Sequence, residues 1–256
     1  MRFEKWHALG NAYLVLERSG PEPLDPTRVK RLCDVATGIG SDGVLEVVAH
    51  DDTTAEIVIW NPDGSVAEMS GNGMRIAALW LAGETGRAEV TVTTGGRPAH
   101  ARVVAPGEAE LDMGDVVVGD AESLALADGR VVSVIPVSVG NPHAVVHMDK
   151  PSRDDLLDLG PQLERHERFV NRTNVQLVDP VGPNELRVLV WERGAGETPA
   201  SGSSATAAAA AAVAQDWCVS PVTVHLPGGD LYVTLAGRRA TLLGPAERIF
   251  VGDTSL

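Results

Sequence analysis

Cysteine is nearly missing from this chain. Cys33 and Cys218 are its only two cysteines in 256 residues, far apart and outside any Cys-x-x-Cys pattern. That spacing excludes a disulfide framework or a thiolate metal site and predicts two reduced, partly buried thiols. Basic residues are also scarce, 21 Lys and Arg against 35 Asp and Glu, for a formal charge of −14. No nucleic-acid partner or anionic membrane surface is expected, because both require basic patches. No apolar run approaches a membrane span, and the opening Met1-Arg2-Phe3-Glu4-Lys5 is not a secretion signal. The expectation is a cytoplasmic protein that acts on a small molecule.

What is present is an ordinary core-forming composition, 44% hydrophobic and 22% charged, in a chain long enough for two domains. Short β-branched runs bounded by Gly, Pro or Asp predict strands near 55–60, 88–93, 101–104, 109–113, 131–139, 144–147, 174–178, 185–191, 222–226 and 231–235. Helices are fewer: 26–36 behind an Asp25 cap with Pro26 at its first position, the Ala-rich segments 74–82 and 206–216, and two short ones at 151–159 and 160–166. Strands, helix and strands then repeat. The reading is α+β: two similar domains, 1–116 and 117–242, with 243–256 returning to the first as a strand.

Each half carries a Ser-Gly turn in front of its Ala-rich helix, Ser70-Gly71-Asn72-Gly73 in the first and Ser201-Gly202-Ser203-Ser204 in the second. Such a turn presents backbone N–H groups and the positive end of the helix dipole, which suits a carboxylate. One turn alone is an ordinary N-cap. Two of them suggest a pair of anion cradles serving one ligand. Two other motifs are decoys. Gly38-Ile39-Gly40-Ser41-Asp42-Gly43 matches the dinucleotide fingerprint literally, but a helix precedes it and a strand-like run follows, the reverse of the required order. His143 and His147 have metal-ligand spacing but lie in a β-rich run without the accompanying Glu, so no metal or cofactor is expected.

In order, His7-Ala8-Leu9-Gly10-Asn11, Asn61-Pro62-Asp63-Gly64-Ser65, Gly71-Asn72-Gly73-Met74-Arg75, Gly140-Asn141-Pro142-His143, Asn171-Arg172-Thr173-Asn174-Val175 and Trp191-Glu192-Arg193-Gly194 resemble the diaminopimelate epimerase family across nearly the whole chain. The resemblance implies two pseudo-symmetric domains, each a β-barrel-like sheet around a central helix, with a ligand held between them. It also implies a cofactor-independent enzyme that inverts an amino-acid α-carbon, and a homodimer by resemblance only. Carried over, Ser70 and Ser201 fall where the family has its acid and base cysteines. His143 falls beside the reaction centre. Glu192 and Arg193 match residues that hold the substrate's distal charged end, with Asn61, Asn141 and Asn174 as an amide clamp. Asn11, Gly71, Asn72, Gly202 and Ser203 complete the binding set.

Serine changes that chemistry. A thiol titrates near ~8.5 and is readily tuned downward, whereas a serine alkoxide is scarcely available without a neighbouring base. The catalytic set expected is Ser70, Ser201, His143 and Glu192, with His143 favoured as acid/base because free imidazole titrates near neutrality. Glu197 is a candidate for orienting the second turn, and Asp63 reads as a turn residue. The leading expectation is an isomerase or epimerase of a small amino or carboxylic acid. Three alternatives stand beside it: a lyase or dehydratase of the same fold, a diaminopimelate epimerase inactivated by Cys-to-Ser exchange, and a non-catalytic carboxylate-binding relic.

Overall fold

Turn chemistry and hydrophobic alternation set the element order. The computed structural model describes residues 1–18 and 23–256, and these divide into two units, Met1–Asp112 with Leu243–Leu256, and Met113–Leu242. The first unit contains β1 (Arg2–Ala8), β2 (Asn11–Glu17), α1 (Pro26–Cys33), β3 (Val44–His50), β4 (Thr54–Trp60), β5 (Val66–Ala67), α2 (Gly71–Thr85), β6 (Glu89–Thr94), β7 (Arg97–Ala105) and β8 (Glu108–Asp115). The second contains β9 (Val117–Val118), β10 (Glu122–Ala125), β11 (Val131–Ser138), β12 (Pro142–His147), α3 (Arg153–Glu164), β13 (Asn174–Gly182), β14 (Glu185–Glu192), β15 (Gly196–Thr198), α4 (Gly202–Ala214), β16 (Val222–Leu226), β17 (Gly229–Ala236) and β18 (Arg239–Pro245). The last strand, β19 (Glu247–Asp253), pairs antiparallel with β1.

The two units repeat one strand plan. In the first, β1 and β2 form a hairpin, β2 lies parallel to β3 across α1, β3 turns back into β4, β4 pairs with the short β5, and β4 then lies parallel to β6 across α2. In the second, β11, β12, α3, β13, β14, β15, α4 and β16 follow the same plan, with parallel pairs in the same two places. Helices α2 and α4 are the central helices. Residues 71–81 of α2 and 202–212 of α4 are buried without a polar face, as a helix wrapped by sheet requires. Small side chains make this feasible in α4, where Ala205 and residues 207–212 let strands approach on every side.

Several local expectations are refined. The motif 7–11 spans the hairpin from the end of β1 to the start of β2: Leu9 and Gly10, at its tip, both have positive φ, 52° and 86°, as a tight hairpin demands. The two short helices expected at 151–166 are one helix, α3, with Pro161 inside it. Pro161 removes one backbone hydrogen bond, to the carbonyl of Leu157, a residue on the exposed side of the helix. Leu156, Leu159 and Leu163 hold its other side in the core of the second unit. The glycine-rich run 38–43 closes α1 instead of cradling phosphate: the N–H groups of Gly38, Ile39, Gly40 and Ser41 donate to the carbonyls of Asp34, Leu32, Leu32 and Cys33. Cys33 and Cys218 are both free and buried.

Candidate active site

The strand registers identify equivalent positions in the two units. Val44 faces Trp60 in the first unit, and Val175 faces Trp191 in the second. Continuing along those strands, Asn61 corresponds to Glu192 and Pro62 to Arg193. Leu14 faces Val44 and Ala144 faces Val175, so Tyr13 corresponds to His143 and Asn11 to Asn141. Trp60 pairs with Val66 and Trp191 with Glu197; four residues beyond each lie Ser70 and Ser201. The two serines are therefore structural equivalents, each the N-cap of its central helix.

In the first unit, Ser70 Oγ accepts from Gly73 N–H at 3.1 Å and lies 3.1 Å from the Tyr13 hydroxyl. Ser70 is half-buried, whereas Tyr13 is 6% exposed. Behind the turn, Arg75 is fully buried. It donates to the Gly71 carbonyl at 3.2 Å and to Asn72 Oδ1 at 2.8 Å, and its Nε has no hydrogen-bond partner. Burial lowers Arg75 to about 10, so the guanidinium stays charged at neutral pH. Asn72 Nδ2 then donates to Asn11 Oδ1 at 3.2 Å, joining the hairpin turn to the helix. Asn61 instead serves its own turn, donating to Ser65 Oγ at 2.9 Å. Asp63 accepts from the Ser65 N–H and hydroxyl, which hold its carboxyl below the usual range.

The second unit is built differently around the same frame. Ser201 is buried and its hydroxyl caps no backbone amide; it lies close enough to Glu192 to influence that carboxyl. Burial pushes the Glu192 carboxyl above its ordinary range, and Ser201 partly opposes the rise. At the position of Arg75, five residues after the serine, α4 has Thr206, whose hydroxyl donates to the Gly202 carbonyl at 2.9 Å. His143 is 1% exposed, 3.0 Å from Asn141 Oδ1 through Nε2 and 3.1 Å from Gln176 Nε2 through Nδ1. Gln176 also donates to Ser204 Oγ at 3.0 Å. Burial lowers His143 to about 3, with the Arg193 charge adding to the effect, so the ring is neutral at physiological pH.

The remaining expected residues divide between site and scaffold. Asn174 bridges the Pro142 carbonyl at 2.9 Å and the Arg193 N–H at 3.0 Å, so its amide shapes the loop that carries Arg193. Gly202 and Ser203 form the first turn of α4, as Gly71 and Asn72 do in α2. Glu197 does not orient the second turn; Arg153 takes it in a two-point ion pair at 2.7–3.0 Å. Sequence reasoning overlooked Tyr13, Arg75 and Gln176. Tyr13 was the most findable, being one of only two tyrosines and lying two residues beyond Asn11. Among the described residues no group of His, Cys, Asp and Glu is arranged to hold a metal ion, and no helix is long and apolar enough to cross a membrane.

Two Ser-Gly helix starts, half-buried at Ser70 and buried at Ser201, stand on a repeated α+β frame, and comparison with known proteins gives the class: an isomerase of the racemase/epimerase type. The family model for diaminopimelate epimerase matches residues 3–119 and 135–249, and the chain belongs to that family. The diaminopimelate epimerase of Pseudomonas entomophila strain L48 is 38% identical over 274 aligned positions, covering 100% of this chain and 99% of that protein. That of Stutzerimonas stutzeri strain A1501 is 37% identical with the same coverage. In fold, the chain is similar to a solved hydroxyproline epimerase from Agrobacterium vitis, with a TM-score of 0.73 at 16% identity over 98% of this chain and 91% of that one.

Proposed function

We propose that this protein inverts the α-carbon of a small amino acid bearing a second polar group, diaminopimelate or a close analogue, without a cofactor. Ser70 and Ser201 stand at the positions of the family's acid and base cysteines, one contributed by each unit. The observation that carries this reading is the buried Ser201 hydroxyl beside the Glu192 carboxyl, whose hold on a proton burial strengthens. A serine cannot serve as a base alone, but one whose proton passes to a carboxylate that burial has made more basic can. As Ser201 Oγ takes the α-proton, its own proton moves to Glu192; the electron pair left on carbon spreads into the substrate carboxylate. The N-terminus of α4, whose N-cap is Ser201, favours that developing negative charge. Arg193 supplies the cation for the distal group. A cytoplasmic location and a homodimer belong to the same proposal, the former supported by the two unpaired thiols.

The test is solvent exchange. The protein is incubated in deuterated water with meso- and L,L-diaminopimelate and a panel of small amino acids, and α-deuterium is followed by NMR. Deuterium entry with inversion is expected. Release of water or ammonia would replace the reading with a lyase, and absence of exchange across the panel would leave carboxylate binding alone.

A further inference from the structure

Ser201 has Glu192, but among the described residues no carboxylate is bonded to Ser70, and a bare serine hydroxyl is too weak an acid or base for the opposite half of the reaction. The group that reaches Ser70 is the Tyr13 phenol, 57 residues earlier in sequence. We infer that Tyr13 is the positioning residue of the first cradle, a phenol that relays a proton through Ser70 Oγ, so that the two serines work with unlike partners.

The local construction favours a fixed relay. One lone pair of Ser70 Oγ is occupied by the Gly73 N–H. With the Tyr13 hydroxyl donating to the other, the serine's own O–H is free to point at the ligand. The ring cannot swing away. Gly43 lies against it so closely that an added Cβ would meet Tyr13 Cε1 at 2.6 Å and the Trp60 carbonyl at 2.5 Å. Leu14, the next residue, donates its N–H to the Gly43 carbonyl at 3.1 Å, pinning the backbone on which Tyr13 sits. The equivalent position in the second unit is His143, which bonds Asn141 and Gln176. The scaffold repeats but the relay does not.

The step balances without any further reagent. When Ser70 protonates the α-carbanion, a C–H bond forms, the serine O–H breaks, and the Tyr13 proton moves to the serine oxygen. The resulting phenolate regains a proton from water. In the reverse direction the phenolate takes the serine proton as Ser70 Oγ takes the α-hydrogen. A phenol near pKa ~10 is far better matched to this exchange than a serine alone.

This inference rests on the proposed α-carbon chemistry, and the experiment separates the two. The protein has two tyrosines, Tyr13 and Tyr232, so labelling with 13Cζ-tyrosine gives two resolvable signals. Ser70→Ala and, separately, millimolar diaminopimelate should each move the Tyr13 signal and leave that of Tyr232 in place. In deuterium-exchange assays Tyr13→Phe should lower kcat about 100-fold with KM changed less than about twofold. In a Ser70→Cys background, where a thiol titrates by itself, the same change should cost only about threefold. An immobile Tyr13 signal, or equal losses in both backgrounds, overturns the relay. A mobile signal in a protein that exchanges no α-proton overturns the proposed chemistry and the relay with it.

Discussion

The first unit surrounds its serine with a buried cation and a phenol; the second surrounds its own with a carboxylate and a neutral amide–imidazole network. Yet the strand registers superimpose residue on residue. Arg75 answers to Thr206, Tyr13 to His143 and Asn61 to Glu192. A repeated backbone therefore does not make a symmetric site. Helix starts and parallel crossovers set where side chains stand, whereas their electrostatic character is chosen position by position. An enzyme that removes a proton on one face and returns one on the other needs that inequality, since a base and an acid must coexist at one pH.

The comparison can be broken most severely at Glu192. Glu192→Gln keeps shape and hydrogen bonding but removes the proton acceptor, and should lower α-proton exchange about 1,000-fold with little change in melting temperature. Acid should act through His143. The buried ring stays neutral down to about 3, while an unfolded histidine protonates near 6.5. The unfolded state thus binds more protons between those values, and stability falls as pH drops through that window, by about 1.4 kcal/mol per unit. Melting curves of His143→Gln should flatten there. If its slope equals that of the parent, the ring is not neutral in the fold.

Gly43→Ala tests the phenol side by displacement. The new methyl meets both the Tyr13 ring and the Trp60 carbonyl, so a loss of about 2 kcal/mol in urea unfolding is expected, with loss of exchange. Arg75→Met should raise the KM for diaminopimelate about tenfold while moving stability by less than about 1 kcal/mol, because an uncompensated buried charge is lost along with its favourable field. Isothermal titration measures the binding part directly. The smallest effect belongs to Arg153→Ala. Its ion pair with Glu197 is solvent-exposed, so less than about 1 kcal/mol and near-parent exchange are expected.

Much of the scaffold was legible because it is written locally. Alternation in 55–60 and 185–191, the Asp25 cap before Pro26, and the Ser-Gly starts of α2 and α4 are each decided within a few residues. The relation between cradles was not. That Tyr13 stands where the other unit has His143 depends on which strands pair and in what register, a property of hydrogen-bond ladders spanning tens of residues. His143 and Glu192 could both be named as candidates from the sequence, but the direction in which each pKa moves follows from burial, which no short motif encodes. Glu197 misled for the converse reason: it lies beside the second serine in sequence, while Arg153, 44 residues away, claims its carboxylate.

The pairing of β1 with β19 also has a consequence for the life of the chain on the ribosome. Met1 hydrogen-bonds Thr254, 253 residues later, and Arg2 faces Asp253. During synthesis the second unit, continuous from Met113 to Leu242, is complete before the strand that flanks β1 has been made. The earlier-made unit is thus the later-finished one, and β1 waits with an unpaired edge while the rest emerges at about 5–20 residues per second. Nascent-chain truncations ending before Glu247 should therefore carry a protease-resistant second unit beside an open first one.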